Sequence, residues 1–214
     1  MFDSYLRDRS QRTGEPFVPF DSDDYEEYVD GKPRYDGTRS FLLSRGIDLP
    51  EGASDDPPAA ETVRGLGNRK NELVQRLIRE NGVEAYEGSV RYVRAARDAG
   101  LRRAVVSSSA NCREILAAAG IEDLFEVRID GVVAAREHLH GKPAPDTFLA
   151  GARALGLEAQ EAVVFEDALA GVEAGRAGHF RYVVGVDRVG QADALKAHGA
   201  DIVVPDLAAL LDHS

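Results

Sequence analysis

From Tyr86 onward, short runs of apolar and β-branched residues alternate with helical stretches, and this alternation restricts the fold more than any other feature. The runs Arg103–Ser107 (RAVVS), Phe125–Ile129, Ala162–Phe165 (AVVF), Tyr182–Val186 (YVVGV) and Asp201–Val204 (DIVV) read as buried strands. Between and after them, Ser89–Ala99, Asn111–Ala119, Pro145–Leu155, Ala168–Ala177, Gln191–His198 and Leu207–Leu211 read as helices. Ser89 is placed to N-cap the first of these helices, and Gly100 to close it. Strands joined through helices run parallel and are covered on both faces. The expected class is therefore α/β, a Rossmann-like doubly wound parallel sheet.

The first 83 residues read differently. Phe2–Arg12, Tyr25–Val29, Asp36–Arg45 and Ala59–Glu80 have helical, polar patterns, and Leu49–Pro58 is a turn-rich connector. Two domains are expected: a helical one over residues 1–83 and an α/β core over residues 84–214.

Composition removes several classes of function. A net charge of −11 argues against a nucleic-acid groove or an anionic membrane surface as the main partner. One cysteine, Cys112, excludes an internal disulfide and a cysteine-rich zinc site. No apolar run is long enough for a membrane span and no signal peptide opens the chain, so the cytoplasm is the expected compartment. A monomer is expected. His138, His140, His179, His198 and His213 lack metal-ligand spacing and read as surface or structural residues.

In a parallel α/β sheet, ligands bind beyond the carboxyl ends of the strands. Ser107, Ser108, Ser109 and Asn111 follow the first of the five runs, where hydroxyls and backbone N–H groups can cradle a phosphate or simply cap the next helix. Glu166 and Asp167 follow AVVF. Adjacent carboxylates there call for a partner such as a divalent cation, although Asp167 could instead cap the following helix. Lys142, held in GKPAPD between Gly141 and Pro143, can neutralise a phosphoryl oxygen or stay solvated.

In order and spacing, the serine-rich strand end, GKPAPDTF and FEDALAGVEAG resemble motifs two, three and four of the haloacid-dehalogenase superfamily. The resemblance extends through Gly185–Arg188 and Gly199–Leu210. It implies that Ser107 is the motif-two hydroxyl, Lys142 the motif-three lysine, and Glu166 and Asp167 the magnesium ligands. Residues 1–83 are similar to the helical cap of the β-phosphoglucomutase-like branch. There Tyr28–Ile47 resembles the substrate loop, with Arg34 placed for a distal phosphate; Arg69-Lys70-Asn71 resembles a second basic element and Tyr86-Glu87-Gly88 the hinge.

The resemblance implies a magnesium-dependent (Mg2+) phosphoryl transfer on a small phosphorylated sugar, with β-glucose 1-phosphate to glucose 6-phosphate as the specific expectation. A phosphatase of the same fold and a non-catalytic phosphate-binding homologue are the alternatives. Ala110 stands where mutases of this group carry a lysine, which lowers the expected charge of the pocket. The family's motif one, a strand ending in DxDG that supplies the nucleophile, has no counterpart here, and Asp21-Ser22-Asp23 is a chance match. The reading therefore expects the sheet's first strand to be missing, the start to lie at an internal methionine of a longer protein, and the chain as given to be inactive.

Overall fold

The computed structural model describes residues 1–211, so His213 lies outside the described residues. These divide into two compact units: Met1–Asp30 with Arg34–Asn81, and Gly31–Pro33 with the chain from Gly82 onward.

The first unit is helical: α1 (Phe2–Thr13), α2 (Ser22–Asp24) continued by a π-helical turn over Tyr25–Val29, α3 (Arg34–Ser44) and α4 (Val63–Asn81). Its core forms around Phe2, Phe20 and Phe41, whose ring centroids lie 4.6–5.1 Å apart, with Leu6, Val29, Leu42 and Leu66 packed beside them. α4 begins later than the expected Ala59, because Thr62 and the backbone around Pro57–Ala60 form turns before it.

The second unit carries five strands: β1 (Ala104–Val106), β2 (Val127–Ile129), β3 (Val163–Glu166), β4 (Tyr182–Val186) and β5 (Ile202–Val204). All pairings are parallel, as continuous apolar strands joined by helices require. The helices are α5 (Glu87–Asp98), α6 (Cys112–Ala118), α7 (Gly131–Arg136), α8 (Asp146–Ala154), α9 (Leu169–Ala177) and α10 (Ala192–Ala197). Side chains alternate across β3 and β4. Val164 and Val183 pack with Phe148, Val172 and Leu195 of α8, α9 and α10, while Phe165, Val184 and Val186 meet Tyr92 of α5 and Leu207. Helical residues thus cover both faces of these strands.

The strands form two sheets rather than one. β1 pairs with β2, and β3–β4–β5 pair in that order. Among the described residues no strand pairs with the other edge of β1 or of β3. A cavity of about 630 Å³, lined by Val105, Val106, Phe148, Val164 and Phe165 among others, is bounded by both strands.

Two local expectations fail. α5 starts at Glu87 with Tyr86 at its N-cap, so Ser89 does not cap it; the Ser89 hydroxyl instead accepts a hydrogen bond from Arg188, 2.7 Å away. α7 was not expected, because GVVAAR offers no polar face to reveal a helix. It forms because the Asp130 carboxylate accepts from the backbone N–H groups of Val132 and Val133. Gly100 does close α5, with φ +74°.

Candidate functional site

The loop after β1 is built from its own hydroxyls. Ser107 Oγ accepts from the Ser109 N–H (3.2 Å) and Ser109 Oγ accepts from the Asn111 N–H (3.1 Å). Ser108 Oγ donates to the Gly31 carbonyl at 2.6 Å. Asn111 is buried and occupies the N-cap of α6, yet its side chain makes no capping bond. Capping by Asn111 therefore does not explain the cluster. Cys112, the next residue, has its thiol pushed up by burial and then by the Asp130 charge, which makes it a poor nucleophile.

The end of β3 is built from charge. Lys142 Nζ donates to Glu166 Oε2 at 3.0 Å, with the two side chains only 5% and 10% exposed. The ammonium also lies 4.7 Å from the centroid of the Phe148 ring. A buried ammonium and carboxylate persist only as partners, so each fixes the other's direction. Gly171 makes this possible, because a Cβ there would overlap the Glu166 side chain. Asp167 is exposed and does not cap α9, whose N-cap is Ala168 with no side-chain cap bond. The capping explanation of Asp167 is thereby removed.

Gly31–Pro33 touches each of these loops, which the sequence did not indicate. The Gly31 carbonyl holds Ser108, the Cβ position of Gly31 (φ +69°) lies 2.8 Å from Ala168 Cβ, and Gly141 packs on the Pro33 ring. The turn-forming glycine and proline were the only signal available. Through this strip the polar ends of β1 and β3 are tied together.

Among the described residues no group of three or more His, Cys, Asp or Glu side chains could hold a metal ion. Glu166 and Asp167 alone supply hard oxygen donors, and one Glu166 oxygen is already engaged by Lys142. A magnesium-like ion fits such a set, since it takes one or two carboxylates and completes its shell with water and phosphate. A zinc site does not fit.

Arg34 lies in the first unit, where its guanidinium donates to Asn71 Oδ1 at 2.6 Å. The Lys70 ammonium is pushed down by burial, against the opposing pull of Asp30. In the Arg69-Lys70-Asn71 run, Arg69 donates to Ser4 Oγ at 3.2 Å, while Asn71 accepts from Arg34. Asp21 and Asp23 lie at the start of α2, where Asp21 forms a capping box with Asp24. Their DxD spacing therefore reflects a helix start. His140 serves Asp146, which it holds below the usual carboxylate range, first through its backbone N–H and then through its ring.

Parallel strands whose hydroxyls, lysine and carboxylates gather at their carboxyl ends define an α/β protein of the class that binds ligands beyond the sheet. The chain belongs to the haloacid dehalogenase-like hydrolases, whose family pattern matches residues 7–179. It is 57% identical to the β-phosphoglucomutase of Mycobacterium bovis over 99% of this chain and 82% of that protein. Among solved structures, the β-phosphoglucomutase of Clostridium difficile superposes with a TM-score of 0.74 at 23% identity, covering 98% of this chain and 84% of that one. A HAD family hydrolase from Deinococcus radiodurans with bound phosphate and sodium gives 0.61 at 26% identity, over 98% and 83%. No helix among the described residues is long and apolar enough to cross a membrane.

Proposed function

We propose that the protein acts in magnesium-dependent phosphoryl transfer on a small sugar phosphate, of the β-phosphoglucomutase type that interconverts β-glucose 1-phosphate and glucose 6-phosphate, with the chain as given supplying the phosphate and magnesium ligands but no counterpart of the motif-one nucleophile. The observation that carries this reading is the buried Lys142–Glu166 pair at the end of β3, next to an exposed Asp167 that has no capping role. A lysine buried to this degree and aimed by a carboxylate is a fixed cation, as phosphoryl binding requires.

In this reading the Ser107 and Ser109 hydroxyls, the Ser108 N–H and the Asn111 side-chain amide receive the phosphoryl oxygens, while the Ser108 hydroxyl stays on Gly31 and Lys142 neutralises the charge. Asp167, with Glu166 behind it, would hold the magnesium ion, which when bound withdraws charge from the same oxygens. Arg34 remains a candidate anion ligand on the first unit. Identity of 57% to a β-phosphoglucomutase supports the mutase over a general phosphatase. The uncharged loop, with Ala110 in its middle, is the feature that favours hydrolysis as the second reading.

The test is ³¹P NMR of β-glucose 1-phosphate with catalytic glucose bisphosphate and magnesium. Magnesium-dependent broadening of the substrate signal, lost in Lys142→Ala and in Asp167→Asn, is the expected result. Where turnover occurs, glucose 6-phosphate marks the mutase and free phosphate the hydrolase. A substrate signal indifferent to protein and magnesium would remove the reading.

A further inference from the structure

The loop Ser107–Asn111 is held from beneath by the start of α7, and the contact allows no side chain. The Gly131 N–H donates to the Ser109 carbonyl at 3.2 Å. A Cβ at Gly131 would lie 2.9 Å from the Ala110 nitrogen and 2.9 Å from the Ser108 carbonyl oxygen, closer than real Cβ atoms approach backbone. These atoms belong to the backbone of the loop itself, so relief would require the loop to move. Gly131 is in turn fixed by Asp130, which is 3% exposed. Asp130 Oδ1 accepts from the Val132 and Val133 N–H groups, each at 3.0 Å, and Oδ2 accepts from Arg128 Nε at 2.9 Å. Arg128, Asp130 and Gly131 thus transmit the position of β2 to the loop that follows β1.

We infer that Asp130 and Gly131 are positioning residues that set the anion affinity of the Ser107–Asn111 loop without touching the anion. The inference rests on the phosphate reading of that loop. It also separates two effects that pull apart at Asp130. As a nearby negative charge Asp130 would weaken anion binding, so a purely electrostatic role predicts tighter binding when it is removed. As a positioning group its removal weakens binding, and asparagine, which keeps the acceptor for the α7 N–H groups, restores it.

The experiment is a titration of inorganic phosphate into the full chain with magnesium, followed by amide NMR shifts of the loop. Gly131→Ala and Asp130→Ala should each weaken phosphate by about tenfold, the equivalent of roughly one hydrogen bond. Asp130→Asn should stay within about twofold of the parent. Gly175→Ala serves as the control for general destabilisation, since its Cβ would meet Val183 at 3.0 Å on α9, and its affinity should be unchanged. Unaltered binding in Gly131→Ala, or tighter binding in Asp130→Ala, overturns the inference and leaves the phosphate reading intact. If Gly131→Ala does not fold, the Asp130→Ala and Asp130→Asn pair decides alone. Absence of any phosphate-dependent shift in the parent chain overturns the phosphate reading, and the inference with it.

Discussion

The two sheets present polar groups at their carboxyl ends by opposite means. The two-stranded sheet carries an uncharged loop held by hydroxyl-to-backbone bonds and by the backbone of α7. The three-stranded sheet carries a buried ion pair, a lysine from a loop set on the carboxylate of the last residue of β3. Neutral bonds of the first kind contribute about 0.5–1.5 kcal/mol each and can be lost singly. A buried pair of the second kind stands or falls together, because either partner alone is an uncompensated charge. The β1 side is therefore tuned in small steps, and the β3 side in one large one.

Lys142→Met is the strongest way to break this comparison. It leaves the Glu166 carboxylate, 10% exposed, without its cation, and should cost about 3–5 kcal/mol in urea unfolding. Ser108→Ala, which removes the bond to Gly31 on the other side, should cost about 1 kcal/mol. The double variant Lys142→Met/Glu166→Gln should recover part of the loss, since no buried charge then remains. Equal costs for the two single variants would end the distinction.

Next in size is Gly171→Ala. Its methyl would overlap the Glu166 side chain, and overpacking of this kind costs about 1–3 kcal/mol. The cost should fall sharply in a Glu166→Ala background, a coupling readable in a double-mutant cycle. Additive effects would mean that Gly171 is needed for helix packing and does not serve the ion pair.

Both experiments concern residues that the sequence singled out, but not the contacts that define them. Glu166 was visible as a carboxylate at a strand end and Lys142 as a lysine held between Gly141 and Pro143; their pairing across 24 positions was not, because no local pattern encodes it. The strands were legible because runs such as YVVGV are β-branched, apolar and bounded by turn residues, and β4 has the expected limits. Ser89 misled because a serine before a helical run looks like a cap, whereas Arg188, 99 positions away, takes its hydroxyl. Asp130 and Gly131 carried no signal in the sequence. Only the fold shows the loop of another strand resting on them.

The sheets should also differ in how firmly they are closed. β4 is paired along both edges and its Val183 and Val184 are buried on opposite faces. Among the described residues β1 is paired on one edge only, and its three residues are half-buried. Amide exchange at Val184 should be slower than at Val105 by at least about tenfold. Phosphate with magnesium should narrow that gap by protecting the loop after β1. A β1 already as protected as β4 would show that the smaller sheet is equally firm.

The smallest effect tests whether charge also governs the far end of the three-stranded sheet. Asp206, just after β5, is held below the usual carboxylate range, first by the Ala208 N–H and then by Arg188, 2.8 Å away. A depressed folded-state value means that the unfolded chain takes up a proton first. The contribution is thus complete above about pH 4 and disappears as pH falls through the lower folded value. Asp206→Asn should therefore lose stability at neutral pH and flatten the acid limb of the stability curve below about pH 4. Arg188 also donates to Ser89 and stacks on Tyr86, with its guanidinium 3.9 Å from the ring centroid. Arg188→Met should therefore cost more than Asp206→Asn at neutral pH, because it removes three contacts where the other removes one charge. If the acid limb is unchanged in Asp206→Asn, the turn after β5 is held by packing of Leu207 and not by this charge.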